Sequence, residues 1–139
     1  EEKMETGFHL NFPSQPDRLK LVRSAVFNTA MLCGCSEGVA RDIVIAVDEA
    51  CQNVIRHAYN GASDGQVILD IGRDSDNMVL LLHDNAATVD VSKIKPRDLD
   101  DLRPGGLGTY FINEVMDQVD FIAPPQGVGN MLRMVRKIE

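Results

Sequence analysis

The sequence predicts an α/β sandwich, in which helices pack on one face of a mixed β-sheet. Segments of alternating apolar and polar residues, typical of half-buried strands, occur near both ends of the chain and in its middle. Two stretches with helical spacing separate the first of these segments from the next. The chain has 139 residues, 44% hydrophobic and 25% charged, which fits one compact domain rather than two.

The first part of the chain contains one predicted strand and two predicted helices. Alternation predicts a strand over about Met4–Phe12, and two prolines end it. Apolar residues at helical spacing from Leu19 onward predict a helix that Gly34 closes. Ser36 can cap a longer helix that runs to about Tyr59. This helix is apolar almost all round, so we expect it to pack on more than one side.

The remaining part contains four predicted strands, one helix and a long connection. The strands are predicted at Gln66–Arg73, Met78–His83, Val119–Ala123 and Met131–Ile138, and the helix at Thr109–Met116. Between Asp84 and Gly108 the chain is weakly patterned, with two prolines and three glycines. Since ordinary connections are shorter, we expect a functional loop or lid there, with a short helix near Arg97–Leu102.

Charge and composition exclude several classes of protein. The 21 acidic residues against 14 Lys and Arg give a net charge of −7. This charge disfavours nucleic acid and anionic membranes as partners, because both need a basic surface. No apolar run approaches the roughly 20 residues that span a bilayer, and we expect no signal peptide at the start. The first residue is Glu1, which is typical of a trimmed chain or of one domain of a longer protein.

The cysteines indicate a reducing compartment, since an odd count fits the cytoplasm better than an oxidising environment. Cys33 and Cys35 form a C-x-C pair but lack the second pair that a zinc site needs, and Cys51 lies in an apolar helical stretch. We therefore favour structural cysteines over metal ligands, and we expect a cytoplasmic protein.

A narrow polar stripe interrupts the long apolar helix. Glu49, Asn53 and His57 are spaced four residues apart, which places them on one helix face. The stripe could be an ordinary solvated face. A solvated face usually carries Lys and Glu, whereas this one carries a carboxylate, an amide and an imidazole. We favour a functional site, because polar groups in a buried setting need partners.

A glycine-rich segment directly precedes the last predicted helix. It reads Arg103-Pro104-Gly105-Gly106-Leu107-Gly108-Thr109. Glycines let a backbone approach a ligand closely, and the free N–H groups of a helix start suit phosphate. Plain loop and cap glycines would give the same pattern. The segment is neither a Walker A sequence nor a Rossmann start, since it lacks the Gly-Lys-Ser/Thr run and a strand leading into it.

Asp84 is the third candidate, at the end of a hydrophobic strand where the predicted lid begins. A carboxylate in this place can accept a hydrogen bond from the amino group of a base. A lone Asp after a strand is also a common turn former.

In chain order, the helix stripe, Asp84 and the glycine-rich segment resemble the N-box, the G1 box and the G2 box of GHKL ATPases. The runs 47–59 (VDEACQNVIRHAY) and 105–120 (GGLGTYFINEVMDQVD) are similar to the anti-sigma-factor serine kinases of the RsbW and SpoIIAB type. The resemblance extends from the first helix to the last strand. It implies a Bergerat-type ATP-binding α/β sandwich.

The resemblance also implies a site for ATP and Mg²⁺. Asn53 would hold Mg²⁺ between the phosphates, Glu49 would be the general base toward a serine hydroxyl, and Asp84 would read the adenine amino group. The nucleotide-binding residues that it implies are Asn53, Asp84, Ala86, Arg103, Gly105, Gly106, Leu107, Gly108 and Thr109. The resemblance assigns no single role to Arg56 and His57. They could contact phosphate, contact a partner or simply end the helix. Phosphoryl transfer needs mainly positioning and charge stabilisation, which such a site supplies.

The chain departs from the family pattern at the G1 box. The usual Asp-x-Gly-x-Gly is replaced by Asp84-Asn85-Ala86-Ala87-Thr88, so both glycines are absent. Ala86 places a methyl group where the backbone usually approaches adenine. This predicts either weaker nucleotide affinity or a slightly shifted pocket.

The leading hypothesis is a protein-serine kinase that sequesters a sigma factor and phosphorylates an antagonist, by resemblance a small STAS-domain anti-anti-sigma protein. The resemblance further implies a homodimer. The alternative is a nucleotide-binding partner switch without kinase turnover, attached to a larger signalling protein. The catalytic domain of a histidine kinase is disfavoured, because no helix pair with a phosphoacceptor His is present and His9 lies in a strand-like segment. A pure interaction protein without nucleotide is a further class.

Overall fold

In the part of the chain that the structure describes, five strands form one antiparallel sheet in the order β1-β2-β3-β5-β4. The computed structural model describes residues 5–86, 107–122 and 129–139. The strands are β1 (Glu5–Pro13), β2 (Gln66–Asp74), β3 (Asn77–Asp84), β4 (Gln118–Ile122) and β5 (Asn130–Lys137). All five strands predicted from alternation are present, and each bound lies within one residue of the expected one.

Within the described residues, three α-helices accompany the sheet. They are α1 (Leu19–Leu32), α2 (Glu37–Asn53) and α3 (Leu107–Val115), and a 3-10 turn at Pro16–Arg18 leads into α1. Ser36 caps α2 as expected, because its hydroxyl accepts a hydrogen bond from the Val39 amide at 3.2 Å. The long predicted helix differs at its end. The α-helix stops at Asn53, and Val54–Ala58 forms a π-helical turn.

The expected sandwich with helices on one face is confirmed, but the strand directions differ from the expected mixed sheet. All four strand pairings are antiparallel. The reason lies in the connections. α1 and α2 together return the chain to the end of the sheet that it left, so Pro13 of β1 pairs with Gln66 of β2. The chain between β3 and β5 also returns to its starting end, where Asp84 pairs with Asn130.

The core lies between α2 and one face of the sheet. Alternate residues of the central strands are fully buried there, including Leu69 of β2, Leu80 of β3 and Met134 of β5. From α2, Ile43 and Cys51 pack into the same cluster and are also fully buried. Burying side chains of this size stabilises the fold by about 1.5–3 kcal/mol each. Residues from α1 and α3 join this cluster, so all three helices cover one face.

The cysteine thiols are buried and free in this fold. Burial raises the pKa of Cys33 and of Cys35 above the ordinary value. Burial, assisted by the nearby Asp48 carboxylate, raises the pKa of Cys51 to about 12. A thiol of this kind stays protonated and packs as a small apolar group.

The start of β1 and the candidate site residue Asp84 lie at opposite ends of the sheet. The start of β1 and the end of β5 lie at one end, where Glu5 pairs with Arg73 and Lys137 pairs with Asn77. Asp84 and Asn130 lie at the opposite end. Most of the expected lid between Asp84 and Gly108, including its short helix near Arg97–Leu102, lies outside the described residues. In the part of the chain that the structure covers, no helix has the length and apolar character of a membrane span.

Candidate functional site

A cavity of about 280 Å³ lies between α2, α3 and the ends of β3, β4 and β5. Most of its wall is apolar, and a few polar side chains enter it, as is typical of small-molecule sites. Its lining residues are Ala50, Asn53, Val54, His57, Ala58, Leu82, Asp84, Ile112, Asn113, Val119, Phe121, Asn130, Met131 and Leu132. Two of the three predicted motifs, the helix stripe and Asp84, therefore meet in one place.

Asn53 is the last residue of α2 and lines the cavity. Its side-chain carbonyl oxygen, Oδ1, is buried and has no hydrogen-bond partner among the described residues. A buried acceptor left without a partner costs about 1–3 kcal/mol, so such an atom indicates a site that a ligand completes. An amide oxygen is also a suitable ligand for Mg²⁺. Asn53 therefore fits the predicted role of metal ligand.

The helix changes its winding directly after Asn53. The amide of Tyr59 donates to the carbonyl of Val54 at 3.1 Å, and the amide of Gly61 donates to Ile55 at 2.9 Å. This π-helical turn widens the helix at the cavity wall, and single π turns frequently mark functional sites. His57, within the turn, still lines the cavity. The periodicity of the sequence contains no signal for the extra residue in this turn.

Glu49 and Arg56 lie elsewhere on the same helical segment. Glu49 is half-buried one turn before Asn53, but it is not among the residues that line the cavity. Arg56 is exposed, and its guanidinium donates to the Gln52 side chain at 3.2 Å. The structure thus brings Asn53 and His57 of the predicted stripe into the cavity wall and leaves Glu49 beside it.

Asp84 ends β3 and is only 4% exposed. Its Oδ1 accepts two hydrogen bonds, from the Asn130 side-chain amide at 3.0 Å and from the Ala86 backbone amide at 2.9 Å. Both of these hydrogen bonds go to the same carboxylate oxygen. One carboxylate oxygen is thus used to fix the side chain, and the other can accept a hydrogen bond from a ligand amine.

Gly129 and Asn130 were not predicted as site residues. Asn130 begins β5 opposite Asp84 and donates to it. Gly129 has a φ of +83°, and a Cβ atom there would lie 1.9 Å from the Asp84 carbonyl oxygen. Only glycine fits so close to this backbone. The glycine before a strand was the one available signal, and by itself it is typical of an ordinary turn.

The glycine-rich motif is described in part. Arg103, Gly105 and Gly106 lie outside the described residues. Leu107, Gly108 and Thr109 form the first turn of α3, so a helix does follow the glycines, as predicted. Further along α3, Ile112 is buried, and both Ile112 and Asn113 line the cavity.

Comparison with known proteins agrees with this arrangement. Residues 12–136 match the family model of the histidine kinase-like ATPase domain. A serine-protein kinase RsbW of Bacillus velezensis is 31% identical over 119 residues, which are 79% of this chain and 74% of that protein. The RsbW serine-protein kinase of Listeria monocytogenes is 30% identical over 124 residues, which are 84% and 79% of the two chains.

A solved structure shares the fold. The crystal structure of the RsbU and RsbW domains of a Mycobacterium tuberculosis protein aligns with a TM-score of 0.67 at 15% identity. The alignment covers 95% of this chain and 32% of that one, so this chain spans about a third of the larger protein. At this identity the likeness establishes the architecture alone.

Proposed function

This chain belongs to the histidine kinase-like ATPase domain family, and we propose that it is an ATP-dependent protein-serine kinase and anti-sigma-type regulator. It binds a sigma factor and phosphorylates a serine of a STAS-domain anti-anti-sigma protein. The proposal is supported by the RsbW relatives and by one structural observation. One cavity is lined by two acceptor side chains: Asn53, whose buried Oδ1 has no hydrogen-bond partner among the described residues, and Asp84, whose two side-chain hydrogen bonds both go to Oδ1.

The two acceptors suit the two ends of ATP. Asp84 can accept the amino group of adenine, and the apolar wall between Leu82 and Ile112 can bury the base. Asn53 would hold Mg²⁺, which in turn neutralises and orients the phosphates when bound. An acidic chain of net charge −7 needs such help to bind a polyanion. Nucleotide binding by this chain therefore requires the cation.

Glu49 is the proposed general base for the serine hydroxyl. It lies one helical turn before Asn53 and is half-buried beside the cavity rather than within its wall. A base for an incoming substrate must be reachable from outside the nucleotide pocket, and this position satisfies that need. The main contribution to phosphoryl transfer comes from positioning, with the base adding to it.

Protein partners require an accessible surface. On α1, Leu21 is 69% exposed and Leu32 is 75% exposed, with the exposed Met31 beside Leu32. Leu21 and Leu32 are separated by 11 residues, about three helical turns, so they share one face of α1. Exposed apolar side chains on one face favour a protein partner. We propose that the protein acts in the cytoplasm as a homodimer.

The experiment is a phosphorylation assay with labelled ATP and a panel of candidate STAS-domain proteins. We expect transfer by the wild-type protein and none by Glu49→Gln, because the amide keeps the shape but cannot accept the proton. Glu37→Gln is the matched control, since Glu37 is an exposed carboxylate in the first turn of the same helix and pairs with Arg41. Undiminished transfer by Glu49→Gln would remove Glu49 from the mechanism.

The alternative function is a nucleotide-binding partner switch without turnover. It is favoured by Ala86, which stands where the family has a glycine and therefore narrows the approach to adenine. In this case the wild-type protein binds ATP with Mg²⁺, and binding changes its affinity for a partner, but no serine is phosphorylated in the assay.

A further inference from the structure

The hydroxyl of Tyr59 joins the end of the helical segment to two strands. It donates to the carbonyl of Gln66 at 2.6 Å and accepts from the amide of the same residue at 3.2 Å. It also accepts from the backbone amide of Asn85 at 2.8 Å. A phenol has one donor and two acceptor positions, so every hydrogen-bonding position of this hydroxyl is used.

The ring of Tyr59 is held as firmly as its hydroxyl. A Cβ atom on Gly65 would lie 2.6 Å from three carbons of the ring, so the ring rests directly on the backbone of that glycine. Tyr59 also follows the π-helical turn, where its amide donates to Val54. Backbone and ring together therefore fix the point in space at which the hydroxyl meets Asn85.

The peptide group that links Asp84 to Asn85 is enclosed on both sides. Its N–H donates to Tyr59, and its carbonyl oxygen faces Gly129 so closely that a Cβ there would lie 1.9 Å away. The Asn85 side chain adds a third attachment by donating to Gln66 at 2.7 Å. The turn after β3 lacks the glycines of the family motif, and these contacts fix its backbone.

We infer that Tyr59 is a positioning residue for adenine recognition: its hydroxyl holds the Asp84–Asn85 peptide and thereby sets the direction of the Asp84 carboxylate. Tyr59 itself is not among the residues that line the cavity, so it acts through Asp84. The inference rests on the proposed function, in which Asp84 accepts the adenine amino group. It adds a residue outside the cavity that determines which base is bound.

The test compares two nucleotides by calorimetry in the presence of Mg²⁺. ATP carries the exocyclic amino group, and purine riboside triphosphate has the same phosphates without that group. We expect the wild-type protein to prefer ATP. Tyr59→Phe should bind ATP roughly tenfold more weakly while its affinity for purine riboside triphosphate stays within about twofold.

Ser14→Ala is the matched control, because the Ser14 hydroxyl holds the neighbouring turn without touching Asn85. It donates to Ala62 at 2.6 Å and accepts from the Gly65 amide at 3.0 Å. This variant should lose thermal stability and keep the ATP preference of the wild type. A purely structural Tyr59 would make both variants behave alike.

Gly65→Ala gives a second test that retains the hydroxyl. The added methyl group displaces the ring, so the ATP preference should fall as it does for Tyr59→Phe. If Tyr59→Phe and Gly65→Ala both kept the ATP preference of the wild type, the role of Tyr59 would be overturned, whereas the proposed nucleotide site would be unaffected. A wild-type protein that binds both nucleotides equally, or neither, would instead overturn the adenine site and the inference with it.

Discussion

The side-chain amide of Asn130 donates to Oδ1 of Asp84 across 3.0 Å, at the point where β3 and β5 pair directly. The same oxygen accepts the amide of Ala86. Both bonds go to Oδ1, so Oδ2 is the carboxylate oxygen that they do not use. Because Asp84 and Asn130 both line the cavity, the pairing of the two strands sets the relative position of these two side chains in the cavity wall.

Asp84→Asn should weaken binding of ATP with Mg²⁺ by roughly tenfold to a hundredfold. The amide lacks the charge and turns a donor toward the amino group of adenine, and hydrogen bonds to charged groups are worth about 1.5–3 kcal/mol. Calorimetry measures the change. Asp120→Asn is the control, since Asp120 pairs with Arg133 and does not line the cavity. Equal affinity in Asp84→Asn and wild type would exclude Asp84 from base recognition.

Asn53→Ala should abolish Mg²⁺-dependent ATP binding and leave the melting temperature of the ligand-free protein nearly unchanged. The reason is that Oδ1 of Asn53 makes no hydrogen bond among the described residues, so little native stabilisation is lost with it. Calorimetry and thermal melting give the two readings. Asn28→Ala, which removes a bond to the Ser24 carbonyl on α1, should not affect binding. Unfolding of Asn53→Ala would instead identify a structural amide.

Gly129→Ala should lower the free energy of unfolding by about 2–5 kcal/mol and prevent nucleotide binding. Two effects add: the left-handed backbone disfavours a side chain by about 1–2 kcal/mol, and overpacking costs about 1–3 kcal/mol. Gly61→Ala separates the backbone effect from the overpacking effect. Gly61 also has a positive φ, +78°, but open space surrounds it, so only the backbone effect applies there. Urea unfolding should show only the smaller effect for Gly61→Ala. Equal losses of unfolding free energy in Gly129→Ala and Gly61→Ala would contradict the prediction, because they would mean that the backbone near Asp84 shifts to make room for the added methyl group.

The stability of the protein should fall as the pH rises above about 9, because of Cys51. Burial raises its pKa from 9.0 to about 12 in the folded protein, so the unfolded chain loses this proton first. The contribution of the protonated Cys51 thiol to the free energy of unfolding is fully present below pH 9. Between pH 9 and pH 12 the free energy of unfolding falls by on the order of 4 kcal/mol. Urea unfolding of wild type and Cys51→Ala measures it. A stability difference between them that does not change with pH would contradict the prediction.

The sequence predicted those features of the site that depend on residue type and local spacing. Asn53 was singled out because an amide interrupts an apolar helix, and Asp84 because its place at a strand end resembles the G1 box of GHKL ATPases. Asn130 was missed because its role arises from the pairing of β3 with β5, which joins residues 46 positions apart. A long-range register of this kind leaves no trace in local periodicity.

The fold was predictable to a similar degree. Alternation and helical spacing gave the strands and helices within a few residues, and the partial segregation of strands and helices along the chain gave a sandwich with helices on one face of the sheet. The antiparallel direction was not predicted, because it depends on how far α1 and α2 return the chain. The π-helical turn after Asn53 was missed for a different reason: the mixture of apolar and polar residues around Val54 is compatible with an α-helix as well as with a π-helix.

The position of the start of β1 and of the end of β5 has a practical consequence for handling the protein. The start of β1 and the end of β5 lie at the end of the sheet opposite Asp84 and Asn130, about eight residues or roughly 25 Å along the strands. A fluorophore or surface-immobilisation tag attached beyond either terminal strand thus begins far from the cavity. Biosensor measurements of nucleotide binding can therefore use either attachment, and the two orientations should return the same affinity.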